Sequence, residues 1–140
     1  MTADVDAVTA ANQELYASFE VADLDRMDAV WDTTDDVQCV HPGWPLLTGR
    51  AQVMRSWSVL MANTSYIQFF LTDVNTSVHG DVAIVTCQEN ILTGIEDPDA
   101  GLAGGQTVVT TNVFRRRDDR WRLWMHHASP VIAASGDASE

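Results

Sequence analysis

The chain leaves a short predicted strand through Cys39-Val40-His41-Pro42-Gly43-Trp44-Pro45 and turns there towards a helix. Proline fixes φ at its own position and biases the residue before it towards extended geometry. His41 and Trp44 each precede a proline, so the pattern predicts that both lie on a stiff, non-helical turn. Stiff turns on a rigid scaffold are common places for binding groups. We therefore predict that this imidazole and this indole form part of a pocket.

Helices are predicted on both sides of this turn. The first covers about residues 4–21, because its apolar side chains recur at helical spacing. Asp23 then caps a short second helix. That helix turns four apolar residues inward: Leu24, Met27, Val30 and Trp31. Thr48 or Gly49 opens a third helix, with one apolar stripe: Val53, Trp57, Leu60 and Met61.

Strands follow the helices. A short strand at 37–41 comes first, and from Tyr66 onward the apolar period changes to two. The longer strands are expected at about 66–78, 81–95, 106–117 and 120–129. Helices followed by an antiparallel meander indicate an α+β fold. The strands from 81 to 129 are apolar on both faces, and only one face can meet the helices. We therefore expect a homodimer formed through the sheet.

Length and composition predict one domain over residues 1–132 and a disordered tail over 133–140. The loop 96–105, rich in Gly and Pro, is a flexible connection and a candidate lid. No apolar run approaches the ~20 residues of a membrane span, and the N-terminus lacks signal-peptide features. Cys39 and Cys87 lie in apolar, strand-like surroundings, which favours buried free thiols and a cytoplasmic location.

The charge balance bears on possible partners. The net charge is −12, and all eight basic residues are arginines. The one basic cluster, Arg115-Arg116-Arg117 with Arg120 and Arg122, carries Asp118-Asp119 at its centre. Nucleic-acid binding needs a continuous basic patch that neutralises phosphates. We predict a solvated hairpin tip here, and we expect neither nucleic acid nor an anionic membrane as a partner.

Most of the chain, from about residue 5 to residue 130, resembles SnoaL-like domains of the nuclear transport factor 2-like superfamily. The motifs that carry the resemblance are Asp23-Leu24-Asp25, His41-Pro42-Gly43-Trp44, Gly49-Arg50 before Trp57, and Trp121 through Ser129. The stretch from Thr111 to Trp121 also resembles the association domain of calcium/calmodulin-dependent protein kinase II. The resemblance implies a cone-shaped fold with three N-terminal helices packed on a curved, mostly antiparallel sheet around a pocket. This superfamily hosts isomerases, cyclases, hydrolases, dehydratases, transport factors and assembly domains, so fold alone assigns no activity.

His41 is the first candidate catalytic residue. In the ketosteroid isomerase branch an aspartate before a proline at this turn is the general base, and His41-Pro42 resembles that dipeptide. A histidine can serve as a base because its ordinary pKa lies near neutrality, and we expect a titration between about pH 5 and 8. The alternative is that His41 hydrogen-bonds a backbone carbonyl and only fixes the turn.

Glu89 and Asn112 are the second candidate pair. A carboxylate in the middle of an apolar strand costs several kcal/mol unless it is paired or hydrated. By resemblance, these positions correspond to arginines that bind carboxylate ligands in the kinase association domain, so an anionic ligand is disfavoured here. Glu89 is therefore a candidate base in the pocket, or else it pairs with Arg55 or Arg122 across a dimer interface.

His126 and His127 alternate across one strand, so both cannot face one site. The sequence leaves open which of them does. His127 or Asn112 is the candidate that would polarise a carbonyl of the ligand. A metal site needs several convergent ligands, and no short motif supplies them, so neither a metal nor a cofactor is expected. Trp44 lies in a loop, where an indole covers a pocket or an interface more often than it fills a core. Trp57 is predicted to frame the same pocket.

These patterns favour a protein that binds a small, neutral, aromatic or polycyclic molecule in an apolar pocket. If it is an enzyme, we expect cofactor-free acid–base chemistry such as isomerisation, cyclisation or dehydration, with His41 as the proton acceptor. The competing hypothesis is a non-enzymatic association domain whose sheet forms the homo-oligomer.

Overall fold

The computed structural model describes residues 2–93 and 105–132, which fold into three helices and a six-stranded sheet. The helices are α1 (Thr2–Glu20), α2 (Leu24–Val30) and α3 (Arg50–Ala62). The strands are β1 (Gln38–Val40), β2 (Leu47–Thr48), β3 (Ile67–His79), β4 (Val82–Thr93), β5 (Gln106–Arg117) and β6 (Arg120–Pro130). Their order in the sheet is β2-β1-β6-β5-β4-β3, and every pair is antiparallel except β1 with β6. The α+β class and the mostly antiparallel sheet are confirmed.

The first two helices form as their spacing predicts. The apolar face of α1 is buried in the core, and two polar residues of the helix, Asn12 and Ser18, are buried as well. The side chain of Asp23 caps α2 by accepting a 3.1 Å hydrogen bond from the backbone nitrogen of Arg26. Met27 is fully buried, whereas Leu24, predicted to point inward, stays 36% exposed at the first position of the helix.

The stiff turn closes a small hairpin that was not predicted. β2 pairs with β1, placing Leu47 opposite Cys39. Two residues are too few to show a strand period, so the sequence pattern could not reveal β2. Gly49 follows at φ 87°, and a Cβ there would lie 3.3 Å from Asp35 Oδ1. Because Asp35 Oδ1 accepts a hydrogen bond from the backbone nitrogen of Arg50, this close approach fixes the start of α3.

The four long strands lie within one or two residues of their predicted bounds, and the last two predicted residues of β4, 94 and 95, fall outside the described residues. Along β4 every second residue is buried, from Ala83 through Glu89 to Ile91. Residues of the opposite parity face away from the helices, and Ile84 is 37% exposed there. The sheet therefore has an inner face, which packs on the helices, and an outer face with exposed apolar side chains.

A β-bulge in β6 changes which residues face inward. Met125 pairs with Val113 and Leu123 pairs with Phe114, so Trp124 is an extra residue without a partner in β5. One extra residue reverses the facing of everything beyond it. Leu123 and His126 are consequently both buried, although they are three positions apart.

The arginine-rich hairpin is held by carboxylates. Asp118 and Asp119 both have positive φ values, 54° and 61°, as a two-residue turn of this kind requires. Arg115 and Arg117 both bind the fully buried carboxylate of Asp32, at 2.6 Å and 3.4 Å. The sequence predicted a solvated hairpin tip. In the structure, two of its arginines instead bind a buried carboxylate.

Two predicted segments fall outside the described residues: most of the loop 96–105 and the tail 133–140. Among the described helices, none combines the length and the apolar character that a membrane crossing demands.

Candidate functional site

A cavity of about 220 Å³ opens between α1, α3 and the inner face of the sheet. Its walls are mostly aromatic and aliphatic and include Phe19 of α1 and Phe69 of β3. Seven polar side chains also line it: Tyr16, His41, Thr64, Glu89, Thr93, Gln106 and His126. An apolar cavity with a few convergent polar groups is the usual form of a small-molecule site.

The structure brings four of the six predicted site residues to this cavity. His41, Glu89, Trp44 and Trp57 all line it. Asn112 is fully buried and does not line the cavity, but it contacts two side chains that do, Tyr16 and His126.

His127 is not brought to the cavity. It is exposed on the outer face of the sheet, where it pairs with Thr111. The bulge at Trp124 is the physical reason, because it places His126 rather than His127 on the inner face. His127 is therefore not positioned to polarise the carbonyl of a ligand bound in the cavity.

His41 is held tightly at the end of β1. Its Nε2 lies 2.8 Å from Ser56 Oγ, and its ring packs edge-on against Trp44 and Trp57, with centroid distances of 5.0 and 4.6 Å. Burial lowers the pKa of His41 to about 4, because desolvation disfavours the imidazolium. This value lies below the expected titration range of pH 5 to 8, so His41 is neutral throughout that range. The alternative bond from the imidazole to a backbone carbonyl is not seen, since the partner is the hydroxyl of Ser56.

Glu89 is buried and bonded through one oxygen. Its Oε2 accepts hydrogen bonds from Tyr16 Oη at 2.6 Å and from Thr110 Oγ1 at 2.7 Å. Burial raises the pKa of Glu89, and the two hydroxyl donors oppose that shift only in part. No arginine contacts Glu89 within the described part of the chain, so its partners there are hydroxyl groups.

Asn112 connects the hydrogen-bonded pair of Tyr16 and Glu89 to His126. Its Nδ2 donates to Asn12 Oδ1 at 2.8 Å and to Tyr16 Oη at 3.1 Å. Its Oδ1 lies 2.6 Å from His126 Nδ1. Burial is the main cause that lowers the pKa of His126 to about 3, and the neighbouring His41 and His127 lower it further. Both histidines of the cavity are therefore uncharged at neutral pH.

A metal centre finds no support in the described residues. Among residues 2–93 and 105–132, no group of three or more His, Cys, Asp or Glu side chains is arranged to hold a metal ion. Burial raises the pKa values of both thiols, Cys39 and Cys87, so neither is an activated nucleophile.

Sequence reasoning missed the hydroxyl groups that serve the site, namely Tyr16, Ser56 and Thr110. Tyr16 lies on the apolar stripe that predicts the first helix, and its polar tip gives no separate signal. Thr110 had a usable signal, because it shares a strand face with Asn112 at a spacing of two. The side of the sheet that His126 faces had no sequence signal, since it depends on the bulge in the pairing of β6 with β5.

Comparison with known proteins identifies the relatives of this chain. The sequence model of the SnoaL-like domain matches residues 8–133. An F-box protein of Arabidopsis thaliana, SKIP8, is 26% identical over 126 residues. That match covers 90% of this chain and 50% of the relative, so the chain spans about half the length of the curated relative it matches.

Solved structures agree in fold. A candidate dehydratase of the NTF2-like family from Streptomyces avermitilis is 52% identical with a TM-score of 0.85, over 94% of this chain and 99% of that one. A candidate association domain of calcium/calmodulin-dependent protein kinase type II from Thiobacillus denitrificans is 33% identical with a TM-score of 0.77, over 88% and 94%. An NTF2-like protein of unknown function from Pseudomonas putida is 17% identical with a TM-score of 0.79, over 99% and 95%, and shows the fold alone.

Proposed function

The chain belongs to the family of SnoaL-like domains, and we propose that its cavity binds a small, neutral, mostly apolar molecule. The observation that carries this proposal is the lining itself, in which aromatic walls surround Glu89, His41 and His126. The lining residues of the cavity include no arginine, so a buried anionic ligand would lack a charged partner. The net charge of −12 also disfavours the approach of anions.

The volume of the cavity limits the size of the ligand. A dry apolar cavity of about 150 Å³ is known to accept a benzene-sized molecule. The cavity here, about 220 Å³, therefore suits a one- or two-ring compound better than a large polycyclic one. The aromatic walls favour a planar ligand, because offset-stacked and edge-to-face contacts add to the gain from burial.

We extend the proposal to cofactor-free acid–base chemistry, with Glu89 as the proton acceptor. A general base works best when its pKa lies near the working pH. Burial moves the pKa of Glu89 upward, towards neutrality, while it moves the pKa of His41 down to about 4. Glu89 is therefore the better base, and His41 is better suited to orient the ligand.

Dehydration is the reaction that we favour, because the 52% identical relative from Streptomyces avermitilis is named as a candidate dehydratase. In such a reaction the carboxylate removes a proton from carbon, the C–H electron pair forms a C=C bond as the neighbouring C–O bond breaks, and the leaving hydroxyl takes the proton back from the carboxyl group and departs as water. Isomerisation and cyclisation would use the same base.

Ligand binding is testable through the two indoles that line the cavity, Trp44 and Trp57. Titration with neutral one- and two-ring aromatic compounds should change the tryptophan fluorescence in a saturable way. The absence of any response across a broad panel would contradict the proposal.

The second candidate function is a homo-oligomeric association domain. Two observations favour it. The outer face of the sheet exposes apolar side chains, with Phe70 at 51%, Ile84 at 37% and Val109 at 44%. In addition, a relative with 33% identity is named as an association domain.

We propose that a second copy of this chain covers the outer face of the sheet in an isologous dimer, because one copy leaves an apolar sheet surface open to water. Such a dimer is compatible with a ligand in each cavity, since the cavities open on the inner face.

A further inference from the structure

We propose that the cavity recognises its ligand through a hydroxyl group, which donates a hydrogen bond to the free ring nitrogen of His126 or of His41. This inference rests on the proposed ligand binding and adds the chemical class of the ligand. It follows from the directions of the hydrogen bonds behind the cavity wall, which fix the tautomer of each imidazole.

The tautomer of His41 follows from Ser56. The hydroxyl of Ser56 has one proton, and Ser56 Oγ donates it to the carbonyl oxygen of Val53 at 2.6 Å. Ser56 Oγ can therefore only accept from His41 Nε2, which lies 2.8 Å away. Nε2 then carries the proton, and Nδ1 holds a lone pair. The polar contact of Nδ1 in the described structure is weak, with Cys39 Sγ at 3.9 Å.

The tautomer of His126 follows from Asn112. Both amide protons of Asn112 are used, one towards Asn12 Oδ1 and the other towards Tyr16 Oη. The remaining polar atom, Asn112 Oδ1, can only accept, so His126 Nδ1 must be the donor across 2.6 Å. His126 Nε2 then holds a lone pair, and no hydrogen bond to it exists among the described residues.

The hydrogen bond from Tyr16 to Glu89 supports the directions assigned to the hydrogen bonds of Asn112. Tyr16 Oη donates its own proton to Glu89 Oε2 and is thus free to accept from Asn112 Nδ2. A flip of the Asn112 amide would set its Nδ2 against His126 and leave its Oδ1 facing Tyr16 Oη, whose proton is donated to Glu89, whichever way the Asn12 amide is turned. Two acceptors would then be buried against each other, at a cost of about 1–3 kcal/mol for each group left unpaired.

The rings of His41, Trp57 and His126, which all line the cavity, lie next to one another. The centroid of His41 lies 4.6 Å from that of Trp57 and 6.1 Å from that of His126, and those of Trp57 and His126 are 5.6 Å apart. Within residues 2–93 and 105–132, Trp57 Nε1 is buried without a hydrogen-bond partner. The cluster thus holds two ring lone pairs and one N–H group that has no partner in the described part of the chain.

A hydroxyl group matches this cluster because it can donate one hydrogen bond and accept another. An ammonium group can only donate, and a carboxylate can only accept. The pKa values of about 4 for His41 and about 3 for His126 keep both lone pairs available at neutral pH. Glu89 adds a further acceptor when it is ionised.

The tautomers are measurable directly in the full-length chain, without any ligand. Nitrogen-15 NMR correlations between ring protons and ring nitrogens should show His41 protonated at Nε2 and His126 protonated at Nδ1. Ser56→Ala should remove the acceptor for His41 Nε2 and give a mixture of His41 tautomers. Ser18→Ala is the matched control, because Ser18 Oγ is also buried and donates to the carbonyl three residues earlier, Leu15 O, while Ser18 itself is not among the residues that line the cavity. It should leave both tautomers unchanged.

Ligand preference is tested with three naphthalenes that differ only in the group at position 2: 2-naphthol, 2-methylnaphthalene and 2-naphthoate. Burial alone favours the methyl compound, so tighter binding of the naphthol requires a hydrogen bond inside the cavity. We expect 2-naphthol to bind at least about tenfold more tightly than 2-methylnaphthalene, which corresponds to about 1.4 kcal/mol. The naphthoate should bind more weakly than either compound. Ser56→Ala should reduce the preference for the naphthol, and Ser18→Ala should not.

The outcomes separate this inference from the proposed function. If 2-methylnaphthalene or the naphthoate binds as tightly as the naphthol, the hydroxyl inference is overturned and the apolar binding site stands. The opposite tautomer at both histidines would also overturn it. If none of the three compounds binds, the proposed function fails, and this inference fails with it.

Discussion

Tyr16 Oη donates a 2.6 Å hydrogen bond to Glu89 Oε2, and this contact joins the first helix to the middle of the sheet across 73 positions of sequence. It explains how a carboxyl group is tolerated at a position that is 3% exposed. Two hydroxyl donors, Tyr16 and Thr110, take the place of the arginine that the sequence led us to consider. A carboxyl group held by hydroxyls keeps a raised pKa, whereas an ion pair would have lowered it.

Tyr16→Phe should destabilise the protein, because it removes one donor from Glu89 and the acceptor of Asn112 Nδ2. We expect a loss of about 1–3 kcal/mol in the free energy of unfolding, measured by urea denaturation. Tyr66→Phe is the matched control, since Tyr66 is 49% exposed and donates only to Gln68. It should change stability by no more than about 0.5 kcal/mol. Equal losses in the two variants would show that the buried hydroxyl contributes nothing specific.

Stability should fall in acid because of the two cavity histidines. Their folded pKa values, about 4 for His41 and about 3 for His126, lie below the ordinary value of 6.5. The unfolded chain therefore binds protons first, and stability that is present above about pH 6.5 is lost as the pH falls towards the folded values. For His41 the shift corresponds to roughly 3 kcal/mol.

The contribution of His126 is isolated by comparing unfolding free energies between about pH 7 and pH 4. His126→Asn should lose less stability over this range than the wild type, because one group that binds protons only when unfolded has been removed. His79→Asn is the control, since His79 is exposed at the end of β3. It should lose as much stability as the wild type. A parallel loss in all three proteins would contradict the prediction.

The sequence predicted most elements because their signals are local. The alternation along β4 and the stripe of α3 depend only on neighbouring residues, and both helices and strands formed nearly where expected. The site depends on how separate elements pair and contact one another. The bulge at Trp124 exists only in register with β5, and it decides that His126 rather than His127 faces inward. The bond between Tyr16 and Glu89 likewise joins two residues that each look ordinary in their own segment.

Catalysis, if it uses Glu89 as the base, should depend on pH in a defined direction. The base must be ionised and its pKa is raised, so activity should rise with pH through a value above 4.5. If His41 were the base, activity would be level above about pH 5, because its pKa is about 4. Glu89→Gln should lower kcat by about 10²-fold or more, and His41→Asn should lower it much less. A larger loss in His41→Asn would reverse the assignment of the base.

Ligand binding should depend on Trp44 more than on a tryptophan outside the cavity. Trp44 is half-buried, lines the cavity and packs edge-on against His41. Trp44→Ala should weaken the binding of an aromatic ligand by about tenfold or more, because it removes one aromatic wall. Trp121→Ala is the control, since that ring packs under Arg116 and does not line the cavity. Affinities measured by calorimetry should fall only in the first variant. A similar loss in both would point to a general effect on the fold.

The proposed dimer should be broken by a charge on the outer face of the sheet. Val109 faces outward from β5 and is 44% exposed in a single copy. An isologous interface repeats each substitution, so Val109→Glu would bury one carboxylate from each copy in the contact. We expect light scattering to give about twice the chain mass for the wild type and the monomer mass for Val109→Glu.

Val59→Glu is the matched control, because Val59 on α3 is also 44% exposed but lies away from the sheet face. It should remain dimeric. A wild-type chain that is monomeric at micromolar concentration would contradict the dimer, and a Val109→Glu variant that stays dimeric would place the interface elsewhere on the molecule.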